Sequence, residues 1–470
     1  MLTSQSKDFS KWYNEVVLEA KLADYSPVRG CMIIRPYGYA IWENIQKNFD
    51  IEIKKLGVEN VYFPLFIPER FFKKEAEHVE GFNPQVAWVT HGGGKKLKER
   101  LAVRPTSETI MYDVFKNWIQ SYRDLPLKIN QWANIVRWEM RPRLFLRTLE
   151  FLWQEGHTAH ATEKEADEMA NAALKMYRDF SENWLGIYCI GGRKTEAEKF
   201  AGAKYTLTVE ALMKDAKALQ MGTSHQLGQN FSKSFGIQFL DEKGKKNHVW
   251  QTSWGVSTRM IGGLVMAHGD DRGLILPPKI APYQIVIIPI SDDKQIKNYV
   301  LKLEEVLVDK GIRFYTDNKS KQTPGWKFNE WELKGAPLRI EIGLKEVKEN
   351  KITFVLRDDL KRQSLSFKEF TDRVKKILDD FQERLLAKSK KFTEDNTHSA
   401  KSYSEFKDIL KNNGGFLKAY WCGDAKCEKK IQDETKTTIR CIPFEKNKNL
   451  GKCIKCGKEA KTEVLFAKAY

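Results

Sequence analysis

No apolar run in these 470 residues approaches the roughly 20 residues that a membrane-crossing helix needs. The opening segment, MLTSQSKDFSKWYNEVVLEAKLAD, has no apolar signal core and carries acids, unlike a transit peptide. No membrane span and a cytoplasmic location are therefore expected. Cysteine is scarce and uneven: of seven, Cys31 and Cys189 stand far apart and five follow residue 420. That distribution argues against an extracellular disulfide framework and for a reducing compartment. Acids are in deficit, with 62 Asp and Glu against 79 Lys and Arg, a formal charge of +17. So basic a chain favours a polyanionic partner, nucleic acid foremost, although charge does not separate RNA from DNA. The length suits two to four domains around a substantial core.

What is present first reads as α+β. Residues 9–24 pattern as a short amphipathic helix. Tyr37 to Leu56 patterns as a longer one, with Tyr37, Ile41, Ile45 and Phe49 at helical spacing and Gly57 at its end. VENVYFPLFIP is a strand interrupted by Pro64 and Pro68, which suits an edge or interface, or a simple strand end. HGGGKK, 91–96, is a flexible basic loop, either a spacer or a phosphate contact. In VRPTSET, Thr106 and Glu108 either reach one ligand or cap the helix starting near Ser107. A helix is expected over Lys164 to Trp184. Gln220, Thr223 and His225 fall near glycine-rich bends, His225 as a ligand contact or a structural histidine.

The most unusual stretch is Arg137 to His160, RWEMRPRLFLRTLEFLWQEGHTAH. Period-2 alternation from Arg147 puts Arg147, Phe151, Trp153, Glu155 and His157 on one face, with Arg137 and Glu139 on the preceding strand. Met140 to Leu146 suits a mobile turn. Such a hairpin can hold an anion with Arg and an amine with Glu against an indole wall. Further on, VWQTSWGVSTRMIGGLVMAH reads as strand, glycine turn and helix, with Arg259 in the first helical turn. A cation at the positive end of a helix dipole is explained by an anionic ligand there, or by snorkelling to water.

After the proline-rich ILPPKIAP, 275–282, strands and helices alternate as in a mixed-sheet α/β domain. KSKKFTEDNTHSAKS, 388–402, reads as a polar linker. Beyond it, Cys422 and Cys427 have four residues between them, and Cys453 and Cys456 have two. Two cysteine pairs at chelating separation predict a tetrahedral structural zinc site of four thiolates. Cys441 is the spare, buried or competing as a ligand.

Taken together these motifs resemble the class II aminoacyl-tRNA synthetases, and within them the prolyl-tRNA synthetases of archaeal and eukaryotic-like type. The helix from Tyr37 and the strand ending at Pro64 resemble motif 1, Arg137-Trp138-Glu139 with Arg147 to Phe151 motif 2, and Gly255 to Arg259 motif 3. FLRTLEFLWQEGHTAH, with PTSET before it and TSHQLGQNFS after it, carries the resemblance to the proline-specific members. KFNEWELKG and PLRIEIG resemble the anticodon-reading elements, and the cysteine-rich module and Tyr470 complete the match. The gap between motifs 2 and 3 is too short for the inserted editing domain of the bacterial type.

The resemblance implies an antiparallel-sheet catalytic domain over 1–280, an anticodon-binding domain over 281–393 and a zinc-binding α/β domain over 394–470. It implies activation of L-proline by ATP with Mg²⁺, transfer to tRNA(Pro), and a homodimer formed through motif 1. It assigns Thr106 and Glu108 to the proline amine. Arg137, Trp153, Glu155, His157, Phe200 and His225 shape the prolyl pocket, with Ser253 and Gly255 at its floor. ATP falls to Arg137, Glu139, Arg147, Gln220, Thr223, Ser257 and Arg259, of which Arg137 and Arg259 act on the phosphates. Anticodon contacts fall to Glu332, Arg339 and Lys345. One departure is visible: Gly343-Leu344-Lys345 stands where relatives commonly have Gly-Pro-basic. Two other classes compete: a synthetase-like RNA-binding protein without activation activity, and a class II enzyme for another amino acid such as threonine.

Overall fold

The computed structural model describes residues 2–76, 86–139, 141–445, 447 and 450–470, so Met140, at the head of the expected turn, lies outside the described residues. Helix α1 (Phe9–Glu19) is capped by Asp8, whose carboxylate accepts from Lys11 N at 2.9 Å. It stops short of the expected residue 24, because Ala23–Tyr25 leaves as a short strand. Helix α2 (Pro36–Lys55) starts with proline in its first turn, where the missing N–H costs nothing. Ile41, Ile45, Phe49 and Ile53 form its fully buried stripe. The stretch expected as one interrupted strand divides at its prolines into β1 (Glu59–Asn60) and β2 (Phe66–Pro68). HGGGKK is not a flexible loop. It joins β3 (Trp88–Gly92) to β4 (Lys95–Val103), with Gly93 and Gly94 at φ +58° and +76°, the left-handed pair a two-residue hairpin turn requires.

The N-terminal half continues with α3 (Glu108–Trp118), β5 (Leu127–Val136), β6 (Glu150–His160) and α4 (Glu163–Asn183). It ends with β7 (Ile190–Arg193), β8 (Tyr205–Leu212), β9 (Ala218–Gly228), β10 (Trp250–Ser257) and α5 (Arg259–His268). Strands β7-β8-β9-β10-β6-β5 lie antiparallel in that order, and β1 adds a parallel edge. Helix α4, opened by a reciprocal Thr162–Glu165 capping box, packs Tyr177 and Phe180 behind this sheet against Phe49 of α2.

The second half of the chain builds a five-stranded mixed sheet. Its elements are β11 (Ile285–Pro289), α6 (Lys294–Asp309), β12 (Phe314–Thr316), α7 (Pro324–Leu333), β13 (Leu338–Ile342), α8 (Leu344–Glu349), β14 (Lys351–Leu356) and β15 (Arg362–Ser366). The strand order is β12-β11-β13-β14-β15, the first three parallel and the rest antiparallel.

The expected linker is ordered structure. Helix α9 (Phe367–Asp395) runs through most of it and β16 (Thr397–Ser399) follows. The last elements are β17 (Phe416–Trp421), α10 (Ala425–Thr435), β18 (Thr438–Pro443) and β19 (Thr462–Ala467). They are not a detached module: β18 pairs with β7, joining everything into one 11-stranded sheet, β16-β17-β19-β18-β7-β8-β9-β10-β6-β5-β1. Gly192 permits this seam, because a Cβ there would sit 2.6 Å from Ile442 O and 2.7 Å from Cys441 Sγ. Among the described residues no helix is long and apolar enough to cross a membrane.

Candidate active site

The open face of β6, β9 and β10 floors a cavity of about 630 Å³. Alternation along β6 turns Phe151, Trp153, Glu155 and His157 into it. All ten residues expected around the amino acid line it: Thr106, Glu108, Arg137, Trp153, Glu155, His157, Phe200, His225, Ser253 and Gly255. Of those expected around ATP, Arg137, Glu139, Gln220, Thr223, Ser257 and Arg259 line it too. Gln220, Thr223 and His225 lie on strand β9 rather than at bends. Arg147 is not part of the lining. It belongs to a turn rather than to β6, closed by reciprocal backbone bonds with Arg143, and its exposed guanidinium reaches Glu139 at 3.3 Å. The left-handed Phe145, φ +61°, ends the alternation that placed Arg147 on the strand.

One end of the cavity is a buried carboxylate–imidazole network. Glu155 accepts from Ser107 Oγ at 2.5 Å and Gln131 Nε2 at 2.9 Å, and its other oxygen lies 3.1 Å from His157 Nε2. Tyr112 Oη lies 3.1 Å from His157 Nδ1. Burial disfavours charge on His157, but the bond to Glu155 and the charges of Glu155 and Glu108 outweigh it and raise the imidazole above its ordinary value. His225, half-buried beside His157, is pushed down to about 3 by desolvation and stays neutral, its Nδ1 2.9 Å from Thr206 Oγ1. The Phe200 ring lies 4.7 Å from the His225 ring. Thr106 hydrogen-bonds to Glu108 at the head of α3. The hydroxyl of Ser253 and the indole N–H of Trp153 are buried without a protein partner, polar atoms a ligand could satisfy.

The other end is cationic. Arg137 stacks 5.6 Å from Phe151 and 5.5 Å from Trp153, and its Nε donates to Pro105 O at 3.0 Å. Arg259, in the first turn of α5, donates from Nε to Leu146 O at 3.3 Å. Burial, and then Arg137 and Arg147, push its guanidinium down to about 10. It remains charged at neutral pH, and two guanidiniums facing one cavity form a site for an anion.

Prolyl-tRNA synthetase sequences account for the whole chain. Residues 88–268 match the class II tRNA synthetase core domain (G, H, P, S and T), 284–377 the anticodon binding domain, and 403–470 the prolyl-tRNA synthetase C-terminal domain. A proline–tRNA ligase of Natranaerobius thermophilus is 53% identical over 475 residues, spanning 100% of this chain and 98% of the relative. The chain belongs to the prolyl-tRNA synthetases. A second family member, proline–tRNA ligase 2 of Clostridioides difficile, is 50% identical over 471 residues, with the same coverage. The Cryptosporidium parvum enzyme complexed with L-proline and AMP superimposes with a TM-score of 0.95 at 42% identity, over 100% of this chain and 96% of that one. The same enzyme complexed with halofuginone and AMPPNP gives 0.95 at 43%, over 100% and 99%.

Away from the cavity, Arg339 is buried over the Phe328 ring at 4.4 Å. It donates to Glu332 at 2.8 Å and to Glu341 at 3.1 Å, whereas Lys345 is exposed on α8. The four expected thiols converge, their sulfurs all within 4.8 Å of one another and those of Cys422 and Cys456 3.7 Å apart. Four thiolates on a tetrahedral zinc would stand about 3.8 Å apart, so the set fits the ion. Cys441 is not among them; it is buried against Gly192. Ser107, Gln131 and Tyr112, which brace Glu155 and His157, are neighbours of the site that the sequence does not single out. Gln131 faces Glu155 across β5 and β6, a register that becomes visible only once the strands pair.

Proposed function

We infer that this chain charges tRNA(Pro) with L-proline in an ATP-dependent ligase reaction. The observation that carries this is the cavity itself, an indole- and phenyl-walled hollow with buried carboxylates opening directly onto paired guanidiniums. In the first step the proline carboxylate attacks the α-phosphorus of ATP, the α-phosphate–pyrophosphate bond breaks, and prolyl-adenylate and pyrophosphate form. The nucleophile is already an anion and needs no protein base, so catalysis is alignment and charge stabilisation. Thr106 and Glu108 hold the amine. Trp153, Phe200 and His225 confine the ring, Glu155 and His157 shape its polar side, and Ser253 and Gly255 form the floor. Arg137 takes the α-phosphate and Arg259 the γ-phosphate, each with a planar fork suited to two oxygens. Glu139, Gln220, Thr223 and Ser257 line the nucleotide's path, and Arg147 reaches it through Glu139 at the rim. In the second step the terminal ribose hydroxyl of tRNA takes the prolyl group and AMP leaves.

Mg²⁺ supplies charge neutralisation to the phosphates. Among the described residues the cavity holds no metal-ligating cluster of three carboxylates, so the phosphates and water would provide most of its ligands. Glu332, Arg339 and Lys345 read the anticodon, and the four cysteines hold a structural Zn²⁺. The proposed domain limits are 1–280, 281–393 and 394–470, the last sharing the catalytic sheet. The short segment between β6 and β10, together with the cysteine-rich module, supports the archaeal and eukaryotic-like type. Exposed Tyr39, Ile51 and Tyr62 around motif 1 support a homodimer, and four convergent free thiols support a cytoplasmic location. Exchange of labelled pyrophosphate into ATP is the test: it should depend on proline and not on threonine. Exchange driven by threonine, or by no amino acid, would overturn the reading.

A further inference from the structure

The wall of the cavity formed by Lys194, Glu198, Lys199 and Phe200 is not anchored by the catalytic half alone. At one end of this segment Lys194 Nζ donates to Glu210 Oε1 and to Arg440 O, both at 2.8 Å. Arg440, on β18, closes the arrangement by donating to Glu210 Oε2 from Nε at 3.0 Å and Nη2 at 2.9 Å. The next residue, Thr195, is buried and its hydroxyl is a junction. It donates to Glu428 Oε1 at 2.7 Å and accepts from Glu198 N at 3.3 Å, holding the turn that leads to Phe200. Glu428 is equally buried and sits on α10, directly after Cys427. At the far end, Phe200 N donates to Thr206 Oγ1 at 2.9 Å, the same hydroxyl that meets His225.

We propose that the C-terminal module positions the amino-acid pocket through the Thr195–Glu428 hydrogen bond, which makes Thr195 and Glu428 positioning residues for proline binding. This rests on the functional reading above. Without the bond, a buried carboxyl group and the turn at 195–199 each lose a partner, and Phe200 loses its fixed distance from His225. The phosphate end, built on β6, β9 and α5, keeps its own supports. The consequence is a selective loss: weaker proline binding with ATP binding intact.

The experiment compares Thr195→Val, which keeps the shape and removes the hydroxyl, with Thr195→Ser, which restores it, in the full-length protein. Proline-dependent pyrophosphate exchange gives KM for each substrate, and hydrogen exchange reports protection of the amides of 194–203. T195V is expected to raise the KM for proline about three- to tenfold, with KM for ATP and kcat within about twofold of wild type and faster amide exchange over 194–203. T195S is expected to behave as wild type. An unchanged proline KM, equal rises in both KM values, or unchanged amide protection would overturn the proposal. If T195V does not fold, E428L carries the same expectation, because it removes the acceptor and leaves the loop sequence intact. Failure of both to fold would place the contact in folding rather than positioning, and would also overturn it. Wild-type protein without proline-dependent exchange would instead overturn the functional reading.

Discussion

At the scale of the residue, Arg137 shows how a charge is held in place for use. Its guanidinium stacks on two aromatic rings and spends one N–H on Pro105 O; among the described residues its outer nitrogens have no hydrogen-bond partner. A group so arranged stabilises phosphate charge without reorganising. Arg137→Ala should therefore cut pyrophosphate exchange at least about a hundredfold; near-normal exchange in the folded variant would refute the role. The histidines held low by desolvation make a second prediction. His160 and His268 are held down at about 4 and His225 at about 3 by burial, against an ordinary 6.5. The unfolded chain then binds more protons below pH 6.5, so the stability these residues confer is complete above that value and drains away as pH falls toward 4. His157, raised, has the opposite sign: its contribution is complete below 6.5 and is lost as pH rises through its folded value. Urea midpoints measured from pH 7 to pH 5 should fall, and His268→Gln should make the fall shallower; an unaltered slope would contradict this. Trp153, Glu155 and His157 were legible as a face because alternation alone fixes it. Ser107 and Gln131 were not, because their roles depend on which strand lies beside β6.

At the scale of the element, local chemistry was readable wherever it governs. The apolar stripe of α2 follows the helical period and survives intact. The polar composition of 388–402, which reads as a linker, is compatible with an ordered helix because its hydroxyls find partners inside the fold. Ser389 accepts from Tyr188 N at 3.0 Å and Thr393 donates to Ser389 O at 3.0 Å, so both are buried with partners and the helix continues through them. The departure at Leu344 also resolves at this scale. Leu344 is the first residue of α8, and Gly343 N donates to Glu346 Oε2 at 3.0 Å, so a helix start replaces the rigidity of proline. A first-turn position tolerates proline and gains from its smaller unfolded-state entropy. Leu344→Pro should raise the stability of this region by about 0.4–1 kcal/mol and leave aminoacylation of tRNA(Pro) unchanged. A fall in thermal midpoint, or a change in kcat/KM for tRNA, would show that the loop geometry differs.

At the scale of the whole molecule, a continuous sheet links the thiol cluster to the cavity. Composition hinted at separate modules, and only the β7–β18 pairing shows that the last one completes the first. Long-range strand pairing leaves no local trace when it depends on a glycine such as Gly192, whose spacing from its partner is set by the fold. Elemental analysis should find one zinc per chain. Chelation should lower the thermal midpoint, because the loop carrying Cys453 and Cys456 would lose its tether to α10; a metal-free native preparation of unchanged stability would contradict the site. Scattering in solution should give twice the chain mass if motif 1 pairs two copies. The most direct measurement is a crystal structure with L-proline and a non-hydrolysable ATP analogue bound together. The proline ring should lie between Trp153, Phe200 and His225, with the phosphates against Arg137 and Arg259. Proline outside that hollow, or phosphates away from both arginines, would contradict the account.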